Sequence, residues 1–586
     1  MRGTYPIYTV ETECRDCYKC VRHCPVKAIK VWNDHASVVP ELCIACGHCV
    51  EICPAHAKKV RDDSPVAEKL IRSGIPVYVS LAPSWINEFA GLSPARIIAA
   101  LKRLGFAGVS ETALGAQMVS AAVGNMLKQG QNGALISSAC PVVVDYICKY
   151  QAEFVSAISG LLSPALAHAK LLRQVCGQDV AVVFIGPCIA KKNEADRHPE
   201  LINAALTFNE LQEWLKRENI NLNEIASDDA CGFFPETARE GAVYPTGGGM
   251  NKTLQLIPEL ENIVFSDFDG LENLKLALDN LKPEEIETAV FIEALACRGG
   301  CVHGPGVQHK SPGLIEHLRV INKFCGNMKP SENKYELDIS DNPAAEKITN
   351  GEVKFRDLQE ALRSIGKTRP EDELNCGGCG YDSCRGFAAA LVCEKAEPSM
   401  CVSFMRKTAQ KKANALLRTI PSGVVIVDRG LELIECNRRF AEILGESIVR
   451  IFDAKPGMNG ADLKRLVPFC ELFRNCLNSG KDICRNSFRM DNKLLNITVF
   501  SIEAGEVAGA VIADVTNTEL RREQIANRAG EVINKNLLTV QEIACRLGEH
   551  MAETEILLRS ISEEYADDKL LDDIRREFSR KELKND

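Results

Sequence analysis

The sequence predicts a multidomain α/β protein whose central part is built from doubly wound parallel sheets. The 586 residues suffice for about four domains of ordinary size. Four short apolar runs between residues 75 and 297 alternate with amphipathic stretches such as "SPARIIAALKRLGF", a pattern typical of parallel strands joined by helices. Cysteine-rich segments flank this part, and after about residue 410 the chain continues without cysteine ligand patterns.

Charge, hydrophobic runs and cysteine content indicate the partners, the location and the kind of site to expect. A net charge of -9 without a basic block makes nucleic acid and anionic membranes unsuitable partners. No apolar run approaches the roughly 18 to 20 residues of a membrane span, and the first residues lack the order of a signal peptide, so we expect a cytoplasmic protein. Because the cytoplasm keeps thiols reduced, the 26 cysteines indicate metal sites rather than disulfides.

Residues 1–62 contain a duplicated cysteine motif, C-x2-C-x2-C-x3-C-P, whose second copy begins 29 residues after the first. Three closely spaced thiolates can hold three corners of a 4Fe-4S cube, while the fourth cysteine of each copy reaches the other cube. The predicted ligands of cluster A are Cys14, Cys17, Cys20 and Cys53, and those of cluster B are Cys43, Cys46, Cys49 and Cys24. The alternative is a pair of zinc knuckles, but each copy with its proline fits the bacterial two-cluster ferredoxins, which this region resembles.

Three of the four central apolar runs end in a cysteine. These are Cys140, Cys188 and Cys297, with Cys301 shortly after the last, while the remaining run ends in "APS" at 82–84. Since sites in parallel sheets form outside the carboxyl ends of the strands, we expect these residues to converge. Four cysteines delivered from different strand ends favour a buried 4Fe-4S site, because a structural zinc site draws its ligands from adjacent turns.

At these residues the sequence resembles the catalytic domain of the iron-only (FeFe) hydrogenases, in a domain predicted at 63–355. The family signature T-S-C-C-P resembles "SSACP" at 137–141, and P-C-x-x-K-x-x-E matches at 187–194. The third signature, E-x-M-x-C-x-x-x-C, matches at 293–301 with Leu295 in place of methionine. A glycine-rich stretch, "YPTGGGM" at 244–250, also resembles the family.

The resemblance implies a cofactor and the residues that hold it. The four cysteines would bind a 4Fe-4S cube, and Cys301 would also bridge to a diiron unit carrying carbon monoxide, cyanide and an azadithiolate. Lys191 and Ser84 would donate to the two cyanides from opposite sides, which suits an ammonium and a hydroxyl facing anionic acceptors. The alternative for Lys191 is a solvated partner of Glu194. The residues expected around the cofactor are Pro83, Ser84, Pro187 and Lys191.

Ala139 departs from the family pattern, because productive members carry a proton-relay cysteine at the matching position. Alanine cannot carry a proton, and the acids that usually continue the route are absent from 117–126. A positioned acid or base is worth about 10²- to 10⁴-fold in rate, so we expect slow turnover. Glu236, Glu293 and Cys231 are candidates for another route, although Cys231 also suits a packing role.

Residues 356–408 contain a third cysteine motif, C-x2-C-x4-C-x16-C. It resembles the small 4Fe-4S domain of corrinoid proteins and sensory hydrogenases, and brings the expected number of 4Fe-4S clusters to four. Cys393 lies in the intervening apolar stretch and is a packing residue or a substitute for the last ligand. The predicted ligands are Cys376, Cys379, Cys384 and Cys401.

Residues 409–518 resemble a PAS domain. The stretch 416–445 predicts helix, strand, turn, strand and helix, and 496–516 predicts two closing strands. PAS modules bind a small cofactor or none and dimerise; the sequence does not identify a ligand. For 519–586 we predict an output or dimerisation helix and a charged tail, with a helix folded back on the PAS core as the alternative. Its recurring apolar positions are Ile525, Val532, Val540, Ile543, Leu547 and Met551.

These parts together predict a sensory FeFe hydrogenase. It would bind and slowly convert H2 and protons, exchange electrons with a redox partner such as ferredoxin, and signal through the PAS domain of a homodimer to a kinase or phosphatase. Two alternatives remain open. One is a ferredoxin-linked catalytic hydrogenase with a regulatory tail, and the other is a non-catalytic iron-sulfur protein without the diiron unit.

Overall fold

The computed structural model divides the chain into two compact units, Met1–Cys401 and Val402–Asp586. The predicted boundary at 408/409 therefore differs from the structural one. None of the described helices is both long and apolar enough to cross a membrane. The described residues are 5–516, with the exceptions of 34, 131–132, 226–231, 280, 282–285, 287, 309–314, 316–317, 321–334, 336, 347, 349–352 and 492, and also 532, 533 and 535.

The N-terminal region of the first unit repeats one small arrangement. In each copy of the cysteine motif, the third cysteine lies in a single helical turn and a short strand follows the final proline. The outer strands β1 and β4 pair antiparallel, as do the inner strands β2 and β3. The elements are β1 (Ile7–Thr9), α1 (Lys19–Arg22), β2 (Ile29–Trp32), β3 (His35–Val38), α2 (His48–Glu51) and β4 (Lys58–Val60).

The central region alternates strands and helices, as the apolar runs predict. The strands are β5 (Val77–Leu81), β6 (Gly108–Glu111), β7 (Gly133–Ile136), β8 (Ala181–Gly186), β9 (Ala204–Thr207), β10 (Val264–Asp269) and β11 (Ala289–Leu295). The helices are α3 (Ser64–Arg72), α4 (Trp85–Glu88), α5 (Pro94–Arg103), α6 (Ala113–Lys128), α7 (Pro141–Tyr150), α8 (Pro164–Cys176), α9 (Ala190–Arg197), α10 (Phe208–Arg217), α11 (Gly249–Leu254) and α12 (Leu271–Asp279).

Two separate parallel sheets carry the four predicted site strands. One sheet has the order β6-β5-β8-β9 and the other has the order β10-β11-β7. Leu81 lies opposite Ile185 at the ends of β5 and β8, and Ile136 lies opposite Ile292 near the ends of β7 and β11. The parallel α/β architecture is thus confirmed, and the site-bearing strands are divided two and two between the sheets.

The packing explains why these segments form strands between helices. Strand β8, with the sequence "AVVFIG", is buried along its whole length, which a continuous apolar, β-branched run permits. A second core lies around β7 and β11, and Ile44 and Ala45 of the N-terminal region belong to it. The predicted ligands of cluster B therefore lie against the part of the central region that contains Cys140.

A third region ends the first unit. Helices α13 (Phe355–Ser364) and α14 (Cys384–Val392) pack against each other, and the loop between them carries Cys376 and Cys379. Ser383 is the N-cap of α14, and its side chain accepts a hydrogen bond from the Gly386 amide.

The second unit is a five-stranded antiparallel sheet of order β13-β12-β16-β15-β14 with helices on it. The Asn437 side chain links the first segments of this unit by four hydrogen bonds. Its Oδ1 accepts from the amides of Val424 and Phe440. Its Nδ2 donates to the carbonyls of Leu417 and Ser422. The elements are α15 (Val402–Thr419), β12 (Gly423–Asp428), β13 (Leu433–Cys436), α16 (Arg438–Leu444), α17 (Glu446–Ala454), α18 (Cys470–Ser479), β14 (Ile483–Met490), β15 (Lys493–Glu503) and β16 (Val507–Asp514). Almost all of the predicted helix at 519–586 lies outside the described residues.

Candidate metal centre

The structure brings four cysteines of the central region together. Cys140 follows β7 and precedes α7, Cys188 follows β8, and Cys297 and Cys301 follow β11. Burial raises the pKa of Cys301, and the thiolates of Cys140 and Cys188 raise it further by repulsion. Burial likewise raises the pKa of Cys188 to about 11, with Cys140 adding to the shift. Free thiols with such pKa values are inert, whereas a bound metal would hold them as thiolates.

The spacing of the sulfurs does not by itself distinguish between kinds of metal site. Tetrahedral zinc, at about 2.3 Å from each sulfur, would place its ligand sulfurs about 3.8 Å apart. In the described part of the chain, no three sulfurs of the predicted ligand sets lie within 4.8 Å of one another. Cys14 does lie with Asp16 and His35 in such a compact group, so the cysteine motif with its proline, rather than the sulfur spacing, is what favours multi-iron clusters over zinc knuckles.

Lys191 acts on three of these four cysteines. The residue is 7% exposed, and Nζ donates to Ser163 Oγ at 2.8 Å and to Glu194 Oε2 at 2.6 Å. Its positive charge lowers the pKa of Cys140, Cys188 and Cys301 against the larger effect of burial. The ion pair with Glu194 therefore exists, but it is buried rather than solvated and its cation faces the thiolates.

Ser84 supplies a buried hydroxyl without a partner. It follows β5, which lies next to the Cys188-bearing strand, and it is 1% exposed. Among the described residues, none forms a hydrogen bond with its Oγ. An unsatisfied buried hydroxyl costs about 1 to 3 kcal/mol, so the position fits an acceptor that the protein itself does not provide. Pro83 and Pro187, at the ends of the same two strands, are also buried.

Serine hydroxyls form hydrogen bonds at and next to Ala139. The Ala139 amide donates to Ser137 Oγ at 3.2 Å, and Ser138 Oγ lies 2.9 Å from Ser159 Oγ. On α6, Ser120 Oγ lies 2.7 Å from the hydroxyl of Tyr244. These hydroxyls form neutral hydrogen bonds, and none of them titrates as a carboxyl group does near neutral pH.

Glu293 is a buried acid whose charge acts on Cys301. It lies on β11 and is 2% exposed, and Oε2 accepts a hydrogen bond from the Asn251 amide at 2.9 Å. Burial raises its pKa to about 7, and its charge in turn raises the pKa of Cys301. The other two candidates differ: Glu236 accepts a hydrogen bond from Tyr335, and Cys231 lies outside the described residues.

The N-terminal cysteines assemble in the two predicted sets. Burial raises the pKa of Cys20 to about 11, and three thiolates of the cluster A set add to this shift. In the cluster B set, burial raises the pKa of Cys49 and of Cys46, and the thiolates of Cys43 and Cys24 act on both. Each motif therefore contributes its fourth cysteine to the set formed mainly by the other motif.

Helix α7 connects the cluster B loop to Cys140. Cys140 immediately precedes the helix, while Tyr150 at its other end donates to the Leu42 carbonyl at 2.6 Å. Lys149 donates to the Cys43 carbonyl at 3.0 Å, and Tyr5 donates to the same oxygen at 3.1 Å. The sequence analysis does not identify these three side chains, because nothing local to them relates residues that lie 38 to 108 positions apart.

The third cysteine motif lies against the N-terminal region. Burial raises the pKa of Cys379, and the thiolates of Cys401 and Cys376 raise it further. Cys384 begins α14, and its amide donates to Asn375 Oδ1. Burial raises the pKa of Tyr381 to about 12, and the thiolates of Cys379, Cys24 and Cys393 contribute. Cys393 is therefore also close to this motif, and its role as packing residue or ligand stays a prediction.

Four family models match separate parts of the chain. The family described as "Iron only hydrogenase large subunit, C-terminal domain" matches residues 75–305. A 4Fe-4S dicluster domain matches 6–54, a putative Fe-S cluster family matches 372–403, and a PAS domain matches 412–486. The predicted order of a ferredoxin-like region, a hydrogenase domain, a small iron-sulfur domain and a PAS domain is confirmed.

Curated relatives carry hydrogenase names. Iron hydrogenase 1 of Clostridium pasteurianum is 28% identical over 42% of this chain and 52% of its own length. The periplasmic Fe hydrogenase large subunit of Nitratidesulfovibrio vulgaris is 27% identical over 54% of this chain and 90% of its own length. The chain thus spans about half the length of the clostridial relative and most of the periplasmic one.

The solved structures that match parts of the chain include FeFe hydrogenases and a PAS domain. A Chlamydomonas reinhardtii FeFe hydrogenase variant is 20% identical, with a TM-score of 0.36 over 47% of this chain and 89% of that chain. The PAS domain of the nitrogen regulation protein NR(II) from Vibrio parahaemolyticus is also 20% identical, with a TM-score of 0.14 over 17% of this chain and 95% of that chain.

Proposed function

We propose, from the membership of residues 75–305 in the iron-only hydrogenase large-subunit family, that the chain binds hydrogen at a diiron unit joined to a 4Fe-4S cluster. The convergence of Cys140, Cys188, Cys297 and Cys301 at the ends of β7, β8 and β11 carries this proposal. The unpartnered Ser84 hydroxyl and the buried ammonium of Lys191 support it, because both fit anionic ligands of a metal unit.

Each residue of the site has a proposed role. Cys140, Cys188, Cys297 and Cys301 would hold the 4Fe-4S cluster, and Cys301 would also be the chain's ligand to the diiron unit. Lys191 and Ser84 would donate hydrogen bonds to the diiron unit, and Pro83 and Pro187 would line the space around it. When bound, the diiron unit supplies the metal site at which hydrogen is split or formed.

The lack of a proton-relay cysteine at residue 139 supports slow turnover. Ala139 provides no proton carrier, so we assign the proton path to Glu293, which is about half protonated at neutral pH because burial raises its pKa to about 7. A rate reduced by a missing acid or base, about 10²- to 10⁴-fold, suits a protein that reports hydrogen rather than producing it in bulk. We therefore propose a sensory hydrogenase.

The path of electrons follows the contacts between the predicted cluster sites. Cluster B lies against the Cys140 side of the central region through α7, and the third motif lies against the N-terminal region. Electrons from hydrogen would reach cluster B first and then cluster A, the third cluster or an external carrier such as ferredoxin. The PAS unit, as a homodimer, would pass the redox state to a signalling protein such as a kinase or phosphatase.

A catalytic hydrogenase with a regulatory tail is the second candidate. It is favoured by the names of the relatives, which include an NADP-reducing hydrogenase subunit of Solidesulfovibrio fructosivorans that is 26% identical over 53% of this chain. The cysteine content favours a cytoplasmic location, although one relative is named periplasmic. Hydrogen evolution per diiron unit distinguishes the two candidates, because the sensory proposal requires a slow rate.

The test of the proposed cofactor is spectroscopic. A chain purified after maturation should show infrared bands of metal-bound carbon monoxide and cyanide. Four 4Fe-4S clusters with two further irons correspond to about 18 irons per chain. A chain with about 16 irons and without these bands would instead be a non-catalytic iron-sulfur protein.

A further inference from the structure

The duplicated motif is broken at one buried position. The two copies are offset by 29 residues, so that Ala28 corresponds to Ala57 and Ile29 corresponds to Lys58. Ile29 begins β2 and is 2% exposed, and Lys58 begins β4 and is 3% exposed. The repeat therefore predicts an apolar residue where the protein buries a lysine.

The ammonium of Lys58 has only neutral hydrogen-bond partners. Nζ donates to Thr9 Oγ1 at 2.6 Å and to the Ala36 carbonyl at 2.6 Å. In the part of the chain that the structure describes, no carboxylate lies within ion-pairing distance of it, whereas the neighbouring Lys59 pairs with Glu13 at 2.9 Å. A buried charge without a counter-ion is costly, so an anion of another kind is expected nearby.

The predicted cluster ligands are those anions. Lys58 begins β4, and β4 packs against α2, the helical turn that carries Cys49, while α2 packs against α1, which carries Cys20. The charge of Lys58 also acts on both thiols, against the larger effect of burial on their pKa. Cys20 belongs to the cluster A set and Cys49 to the cluster B set. Lys58 is thus the cation that acts on thiolates of both sets, from a position between the two motifs.

We propose that Lys58 is a shared buried cation that raises the reduction potentials of clusters A and B. This inference rests on the proposed two-cluster site. Each 4Fe-4S cluster becomes more negative by one charge when it accepts one electron, and a nearby cation stabilises that reduced state. The lysine would make the N-terminal region a better acceptor for electrons that arrive from hydrogen, and would hold both clusters in one range of potential.

The experiment is a potentiometric titration of the full-length, reconstituted chain, in which electron paramagnetic resonance reports the reduction of each cluster by chemical mediators. Lys58→Met removes the charge, and Lys58→Gln removes it but keeps an amide donor for Thr9 and Ala36. In both variants the midpoint potentials of the two clusters should shift to more negative values. Lys59→Met, which removes a half-exposed and paired charge, is the matched control and should leave both potentials unchanged.

The outcomes separate this inference from the proposed sites. Unchanged midpoints in Lys58→Gln with both clusters present would overturn the role of Lys58, as would an equal shift in Lys59→Met. Loss of both clusters in both Lys58 variants, with Lys59→Met intact, would also overturn it and assign a purely structural role. If the unsubstituted chain binds fewer than two clusters in this region, the ligand sets themselves are wrong.

Discussion

Lys27 donates a hydrogen bond of 2.7 Å from Nζ to the carbonyl oxygen of Gly380. This bond connects the third cysteine motif to the segment that joins the two copies of the duplicated motif. The same junction contains backbone contacts, since the amide of Val31 donates to the Lys395 carbonyl and the amide of Asn33 donates to Glu397 Oε1. Together these bonds hold the proposed third cluster beside the other two.

Gly380 offers a direct test of this junction. It has a φ of +94°, and a Cβ added to it would lie 2.9 Å from a Val21 side-chain carbon and 3.0 Å from the Arg22 amide nitrogen. Gly380→Ala should therefore push the two regions apart. Hydrogen exchange measured by mass spectrometry should become faster at the amides of Val31 and Asn33.

The matched control for this substitution is Gly377→Ala. Gly377 lies in the same loop with a φ of +68°, and nothing lies within 4 Å of an added Cβ. Both alanines carry the left-handed strain, about 1 kcal/mol, so only the contact differs between them. Equal exchange at Val31 and Asn33 in the two variants would mean that Gly380 does not hold the junction.

The bridging role proposed for Cys301 predicts a selective loss. Cys301→Ser should abolish the infrared bands of the diiron unit, because this thiolate would be the chain's bond to that unit. The control is Cys148→Ser, which changes a buried cysteine of α7 that belongs to none of the predicted ligand sets and should keep the bands. Bands that persist in Cys301→Ser would show that the third signature is misaligned.

The sequence identifies candidate ligands because cluster motifs are local, and the ligand sets themselves stay a prediction. The spacing of the cysteines fixes which thiolates share a loop, and the apolar runs fix which segments become parallel strands. The pattern does not specify that β5 and β8 form one sheet while β7 and β11 form another. Periodicity describes which face of a strand is buried, but it carries no information about the strand's neighbour.

The remaining site residues depend on long-range contacts. Tyr150 and Lys149 become relevant only when α7 reaches the carbonyls of Leu42 and Cys43, which lie more than 100 residues earlier in the chain. Strand β14 is also absent from the prediction, since "ICRNSFRM" is largely exposed and lacks an apolar run. Of these residues, Lys58 could have been noticed in the sequence, because it stands at the repeat position that Ile29 occupies in the first copy.

Glu293 predicts a pH dependence of hydrogen evolution. Its folded-state pKa is raised from 4.5 to about 7, chiefly by burial, so the protonated form prevails below pH 7 and is lost as the pH rises. The rate per diiron unit should therefore fall through about pH 7. Glu293→Gln keeps an acceptor for the Asn251 amide but cannot carry the proton, so it should lower the rate about 10²-fold or more and remove this step.

The control for the proton carrier is Glu236→Gln. Glu236 is half-buried and accepts a hydrogen bond from Tyr335, and it lies on a different segment of the chain. If Glu293 carries the proton, Glu236→Gln should keep the wild-type pH profile. A profile that stays the same in Glu293→Gln and changes in Glu236→Gln would transfer the role to Glu236.

A substitution at Ala139 tests whether the missing proton-relay thiol makes the chain a slow sensor rather than a productive hydrogenase. Ala139→Cys restores a thiol immediately before Cys140 without altering any proposed ligand, so iron content and infrared bands should stay as in the unsubstituted chain. Hydrogen evolution per diiron unit should rise, but by less than the roughly 10⁴-fold upper range for one acid or base. The serine hydroxyls at residues 137 and 138 do not titrate near neutral pH, which limits the gain.

The comparison requires both forms at matched pH, with Ala139→Ser as the control because a hydroxyl of similar size does not titrate near neutral pH. A rate that rises in Ala139→Cys and not in Ala139→Ser would attribute the slow turnover to the missing proton carrier. An unsubstituted chain that already evolves hydrogen as fast as a productive hydrogenase would contradict the sensory proposal, whatever the variants do. In that case the proton reaches the metal by a path that needs no thiol at residue 139, and Glu293→Gln becomes the variant that must slow it.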